Sequence, residues 1–141
     1  MKEIKCLHTV EEIREIFKDD RFATEAAGAK IIDAGVCYAR CELDLTPVHR
    51  NAANIVMGGA IFTLADFSVA VASNGYRESV DTISIDGSIY YVKPAKGEKL
   101  IAEARCVKPG RTLSFYEVDI TDELGTDVAH FTSKTYTMQA R

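Results

Sequence analysis

Between Asn51 and Tyr76 the chain carries one charged residue, Asp66. It stands inside IFTLADFSVAVA, residues 61–72, a run apolar on nearly every helical face. That is the mark of a helix buried all round, so the rest of the chain has to enclose it. An ionised carboxylate in such surroundings is costly unless a partner stabilises it or a reaction uses it. Gly58 and Gly59 lie about two helical turns upstream, where the helix would begin.

At 141 residues the chain has the length of one domain, 1–141, with an N-terminal helical segment over residues 1–20. A hydrophobic share of 47% and a charged share of 27% suit a globular protein. The net charge of -4 argues against a general nucleic-acid binder. The N-terminus MKEIKCLHTVEEIREIF is too charged for a signal peptide. Gly58, Gly59, Thr63, Asp66 and Ser68 interrupt the one long apolar stretch, which makes a poor membrane span. The expectation is a cytoplasmic protein that engages neither membrane nor nucleic acid. Cys6, Cys37, Cys41 and Cys106 show no CxxC spacing and read as free thiols of a reducing compartment. His8, His49 and His130 are scattered, so no metal site is expected.

Thr9 and Glu12 form a capping box for a short helix over residues 10–18, with Val10, Ile13, Ile16 and Phe17 as its apolar stripe. Residues 20–28 read as a connector. Strands are expected at 29–33 and 36–45, with Ala34-Gly35 as the tight turn between them. In the second strand Cys37, Ala39, Cys41, Leu43 and Leu45 share one face. After the central helix, residues 80–92, 99–107, 113–121 and 127–138 read as strands. Alternation puts Ile83, Ile85, Ile89 and Tyr91 on one face of the first, and Thr82, Ser84, Asp86, Ser88 and Tyr90 on the other. Residues 93–97, 108–111 and 122–125 are expected as turns, and short connections imply antiparallel neighbours. The fold class is therefore α+β, an antiparallel sheet wrapped around one long central helix.

Two segments then resemble a known family. Residues 49–66, HRNAANIVMGGAIFTLAD, resemble the pattern H-x-N-x-x-G-x-x-H-G-G-x-x-x-x-L-x-D of the hotdog-fold acyl-CoA thioesterases of the phenylacetic-acid-degradation type. Residues 90–120, YYVKPAKGEKLIAEARCVKPGRTLSFYEVDI, resemble that family's P-A-x-x-G and G-[KR] strand pair. Two positions depart from the pattern. Asn54 stands where a glycine is usual, and Asn tolerates left-handed backbone angles better than most residues. Met57 stands where the histidine of H-G-G is usual and cannot donate a hydrogen bond.

The resemblance implies hydrolysis of an acyl-CoA or aroyl-CoA thioester to the free acid and CoA. Asp66 would be the general base or nucleophile, a role its isolation on an uncharged helix also suits. The structural alternative is an acid paired with a Lys or Arg of the sheet. Gly58 would offer its N–H to the oxyanion at the helix N-terminus, and Asn51 would help bind the thioester carbonyl. Ser84 would position the attacking water. Lys108, Pro109, Gly110, Arg111, Thr112 and Leu113 would line the coenzyme A nucleotide and its phosphates. No cofactor is implied, because coenzyme A is part of the substrate. The family pairs into homodimers that commonly form homotetramers, with the active site at the interface. His49 is read as a structural residue of the loop. Two other readings stay open: a non-catalytic acyl-CoA binding module, motivated by Met57, and a hotdog dehydratase or hydratase, which ranks last because Met57 removes the obvious histidine.

Overall fold

A computed structural model describes residues 4–138. Helix α1 (Val10–Phe17) leads through a π-helical turn (Phe22–Ala26) into strands β1 (Ala29–Gly35) and β2 (Tyr38–Asp44). A 3-10 turn (Pro47–His49) and a loop then lead to helix α2 (Gly58–Asn74). Strands β3 (Thr82–Tyr91), β4 (Lys99–Lys108), β5 (Leu113–Asp122) and β6 (Asp127–Thr137) complete the chain. The strands form one antiparallel sheet in the order β1-β2-β4-β5-β6-β3. The sheet curls around α2, whose Leu64, Phe67, Val69 and Val71 are buried against it. Each such side chain contributes roughly 1.5–3 kcal/mol of hydrophobic stabilisation. This is the α+β hotdog architecture expected from the sequence.

Helix α1 carries the expected capping box, with Glu12 N–H donating to Thr9 Oγ1 at 3.2 Å and Thr9 N–H to Glu12 Oε1 at 3.0 Å. The expected connector at residues 20–28 instead holds the π-helical turn, closed by Ala27 N–H donating to Phe22 O at 2.9 Å. The first hairpin turns two residues later than expected, at Val36-Cys37. Gly35 pairs with Tyr38, and Cys37 takes the left-handed angle at φ 55.

Two corrections matter more for function. Residues 93–97 are not a hairpin turn. β3 and β4 are separated by β5 and β6, so residues 92–98 cross from one sheet edge toward the middle. Seven residues can span about 23 Å, ample for three strand spacings of about 14 Å. Carboxylates of the β5–β6 turn hold this crossing in place. Asp122 accepts from Lys96 N–H at 2.8 Å, Gly97 N–H at 3.0 Å, Leu124 N–H at 3.0 Å and Thr126 N–H at 2.9 Å.

Strict alternation also fails along β3. A bulge at Ile85, between the pairs Ser84–Thr135 and Asp86–Lys134, reverses which residues face inward. Thr82, Ser84, Gly87, Ile89 and Tyr91 consequently share the face toward α2, while Ile83, Asp86, Ser88 and Tyr90 face outward. Packing agrees: Gly87 lies against Phe62 and Phe131, and Ile89 packs on the core. No helix among the described residues is long and apolar enough to cross a membrane.

Candidate active site

The loop before α2 is built to hold its first residues still. His49 is buried, with Nδ1 accepting from Thr46 N–H at 3.0 Å and Nε2 donating to Ala27 O at 2.6 Å. Both ring nitrogens are thus committed to backbone, as expected for a structural histidine. His49 O in turn accepts from Met57 N–H at 2.8 Å, and Arg50 bridges Val56. Asn54 takes the left-handed conformation, φ 59, that its place in the loop requires. Asn51 Oδ1 accepts from Ala53 N–H at 3.0 Å and Ile55 N–H at 3.1 Å. With the oxygen occupied, the exposed Asn51 amide has its Nδ2 hydrogens left to donate.

Helix α2 starts at Gly58, with Met57 as an N-cap that supplies no side-chain hydrogen bond. The Gly58 and Gly59 N–H groups therefore find no acceptor among the described residues. Tyr91, from the end of β3, reaches across and donates from its hydroxyl to Gly58 O at 3.0 Å. Its ring fills the space a side chain at 58 would need: a Cβ there would lie 2.8 Å from the ring. The Met57 methyl packs over Gly59, where a Cβ would meet it at 2.5 Å.

Asp66 lies two turns further along; beyond Phe62 only Thr63, Asp66 and Ala70 of α2 stay partly exposed. Burial pushes its carboxyl above the ordinary 3.8, the Ser84 hydroxyl pulls the other way, and Asp20 adds to the rise. Among the described residues no cation pairs with Asp66. Ser84 reaches this carboxylate because the bulge turns it inward. The two are neighbours rather than partners in a direct hydrogen bond.

The candidate residues thus fall into two groups. Asn51, Gly58 and Tyr91 gather at the start of α2, Asp66 and Ser84 at its middle. Eight residues of helix separate Gly58 from Asp66, about 12 Å along the axis. The turn containing Lys108, Pro109, Gly110, Arg111, Thr112 and Leu113 lies at the Ser84 end of the sheet. There Leu113 pairs with Tyr136 and Tyr136 with Ile83. The turn is exposed up to Leu113 and braced by Gly110 N–H donating to Ser114 Oγ at 3.1 Å. His130, which shows no obvious neighbours in sequence, pairs with Tyr90 on the outer sheet face, between Asp119 at 2.8 Å and Asp127 at 3.0 Å, and so lies across the sheet from Gly58.

An apolar cavity of about 420 Å³ adjoins the start of α2. Phe22, Ala26, Val48, Met57, Gly59 and Thr63 are among its walls. Phe22, Val48 and Met57 are left 69%, 83% and 52% exposed around it, an unusual cost for large apolar side chains grouped together. A larger cavity of about 550 Å³ between α1 and β1, lined by Arg14, Phe17 and Lys30, contains none of the candidate residues.

Comparison with known proteins gives the family. A sequence model of the thioesterase superfamily matches residues 53–129. The chain is 35% identical over 122 residues to a protein of Archaeoglobus fulgidus described as "Putative esterase", covering 85% of this chain and 77% of that one. It is 30% identical over 114 residues to acyl-coenzyme A thioesterase 13 of Homo sapiens, covering 80% and 81%. Its fold superposes on the E. coli PaaI protein from the phenylacetic acid degradation operon with a TM-score of 0.79, at 20% identity, over 94% of this chain and 98% of that one. The chain belongs to the thioesterase superfamily, as a thioester hydrolase with the hotdog fold.

Proposed function

We propose that this protein hydrolyses acyl-CoA thioesters at a site shared between two copies of the chain. The observation that carries the reading is Asp66, a half-buried carboxylate with no cation among the described residues to neutralise it. A general base has to come within about 3 Å of the water it activates. Some 12 Å of helix separates Asp66 from the free N–H of its own Gly58, so the oxyanion donors have to come from elsewhere.

A second copy supplies them. β3 is an edge strand, paired with β6 on one side only, and exposes Ile83, Ile85 and Tyr90. Antiparallel pairing with β3 of a second copy extends the sheet through an isologous interface. Gly87, near the middle of β3, touches Phe62, which lies midway between Gly58 and Asp66 on α2. A two-fold axis near this point exchanges the Ser84 end of β3 with the Tyr91 end. It carries Gly58 of the partner subunit toward Asp66, and Asp66 of the partner subunit toward Gly58. Assembly of such dimers into a homotetramer is part of the proposal.

In such a site the thioester carbonyl accepts from Gly58 N–H and Asn51 Nδ2, both aimed at the oxygen that becomes the oxyanion. Asp66 of the other subunit takes a proton from water as the water oxygen bonds to the carbonyl carbon. Ser84 holds that water. Collapse of the tetrahedral intermediate breaks the C–S bond, and the proton on Asp66 passes to the leaving thiolate. Direct attack by Asp66, through an anhydride that water then cleaves, uses the same residues. Lys108 and Arg111 suit the phosphates of coenzyme A. The acyl group suits the apolar cavity beside Gly59, where Met57 serves as wall rather than as donor.

The test is release of free CoA thiol across a panel of acetyl, medium-chain, long-chain and aroyl-CoAs. Turnover by the wild type, lost in Asp66→Asn with fold and oligomer intact, supports the reading. Unchanged hydrolysis by Asp66→Asn sinks the role of Asp66. Tight acyl-CoA binding without turnover by the wild type would favour the binding-module reading that Met57 motivates.

A further inference from the structure

We propose that Tyr91 is a positioning residue for the oxyanion contact: by clamping the carbonyl and the α-carbon of Gly58 it aims the Gly58 N–H and leaves one side open to the thioester. The inference rests on the reading above, in which Gly58 N–H receives the thioester oxygen.

A helix N-terminus built on two glycines needs such a clamp. Glycine is the residue with the widest choice of backbone angles, and the first turn of a helix lacks half its hydrogen bonds. Met57, at the N-cap, has no side-chain acceptor to steady that turn. From upstream, Met57 N–H is held by His49 O at 2.8 Å. Tyr91 acts on Gly58 itself. Its hydroxyl donates to Gly58 O at 3.0 Å, fixing the plane of the 58–59 peptide. Its ring lies 2.8 Å from where a Cβ would be, so it blocks one side of the α-carbon. The hydroxyl and the ring together restrict the two angles that decide where Gly58 N–H points.

Tyr91 can do this because it is anchored. It pairs with Ala129 of β6, and the next residue donates from Val92 N–H to Val128 O at 2.8 Å. The β3 bulge at Ile85 sets Tyr91 on the inner face together with Ser84. Half the tyrosine remains exposed, 52%, although its ring rests on Gly58. In the proposed dimer that free half meets the Ser84 end of the partner strand. The donors of one subunit and the base of the other would then be set on a single strand pair.

The experiment compares wild type, Tyr91→Phe and Tyr91→Leu. Steady-state kinetics are run on an acyl-CoA that the wild type hydrolyses. Binding is measured for two inert analogues of the same acyl length: a ketone with methylene in place of sulfur, which keeps the carbonyl, and an S-alkyl thioether, which lacks it. Tyr91→Phe is expected to lower kcat at least about tenfold with KM changed by less than about threefold. The preference for ketone over thioether shrinks in step, while thioether affinity holds. Tyr91→Leu, which also removes the ring, loses more. Wild-type kcat and wild-type ketone preference in Tyr91→Phe would overturn the proposal. So would equal weakening of both analogues alongside a lower melting temperature, which makes the role structural. A wild type that turns over but binds ketone and thioether equally overturns the oxyanion contact, and this inference with it. A wild type without turnover overturns the hydrolase reading instead.

Discussion

A half-buried carboxylate without a cation costs the folded chain stability at neutral pH, and Asp66 is such a group. Burial raises its pKa above the ordinary 3.8. The folded state therefore binds more protons than the unfolded state between 3.8 and the raised value, and stability falls as pH rises through that window. Asp66→Asn is expected to raise the melting temperature above that window and to leave it unchanged below pH 3.8. Hydrolysis by the same variant is expected to drop by a factor on the order of 10²–10⁴. Parallel thermal melts and thiol-release rates from pH 3 to 8 check both; a lower melting temperature at neutral pH would make Asp66 a stabilising residue instead. Asp66 was legible in the sequence, since no other charge lies between Asn51 and Tyr76. So was the left-handed turn at Asn54. Tyr91 was not: alternation grouped it with Ile83, and one extra residue at Ile85 inverts that grouping. A bulge is a local fault in period, and nothing in TISIDGSIYY marks which residue is surplus.

Among the elements, α2 and β2 were readable because the apolar run of the one and the alternation of the other are unbroken. The placement of β3 was not, because a five-residue turn motif, KPAKG, serves a hairpin and a crossing equally well. What decides is Asp122, a buried carboxylate that accepts from both the crossing and the β5–β6 turn. Burial works to raise its pKa, but the backbone N–H groups of Thr126, Lys96 and Gly97 outweigh burial and hold it well below 3.8. Its stabilisation is full above pH 3.8 and fades as pH falls toward the depressed value. Asp122→Ala is expected to cost about 3 kcal/mol or more in urea unfolding at pH 7, with the gap to wild type narrowing in acid. A cost under about 0.5 kcal/mol would remove Asp122 as the anchor of the crossing. The cavity beside Gly59 gives a second prediction at this scale. Ala26→Trp, on the π-helical turn, is expected to lower the ratio of long-chain to acetyl kcat/KM at least about tenfold. An unchanged ratio would put the acyl group elsewhere.

At the scale of the whole molecule, a single chain holds both halves of the proposed site without bringing them together. Its start of α2 carries free N–H donors, its middle carries Asp66, and in the proposed dimer the exposed edge of β3 is the route by which a second copy joins them. The fold class followed from the sequence because a helix apolar on all sides leaves a sheet little choice but to wrap it. The proposed shared site does not follow from residue pattern alone, since nothing local records which copy a side chain serves. The most direct test is complementation. Asp66→Asn and Asn51→Ala chains, each inactive alone, are unfolded together and refolded as a mixture of equal parts. Half the dimers are then mixed, each with one intact site of two, so activity is expected to return to about one quarter of wild type. A mixture no more active than its two inactive components would contradict a site built from two chains.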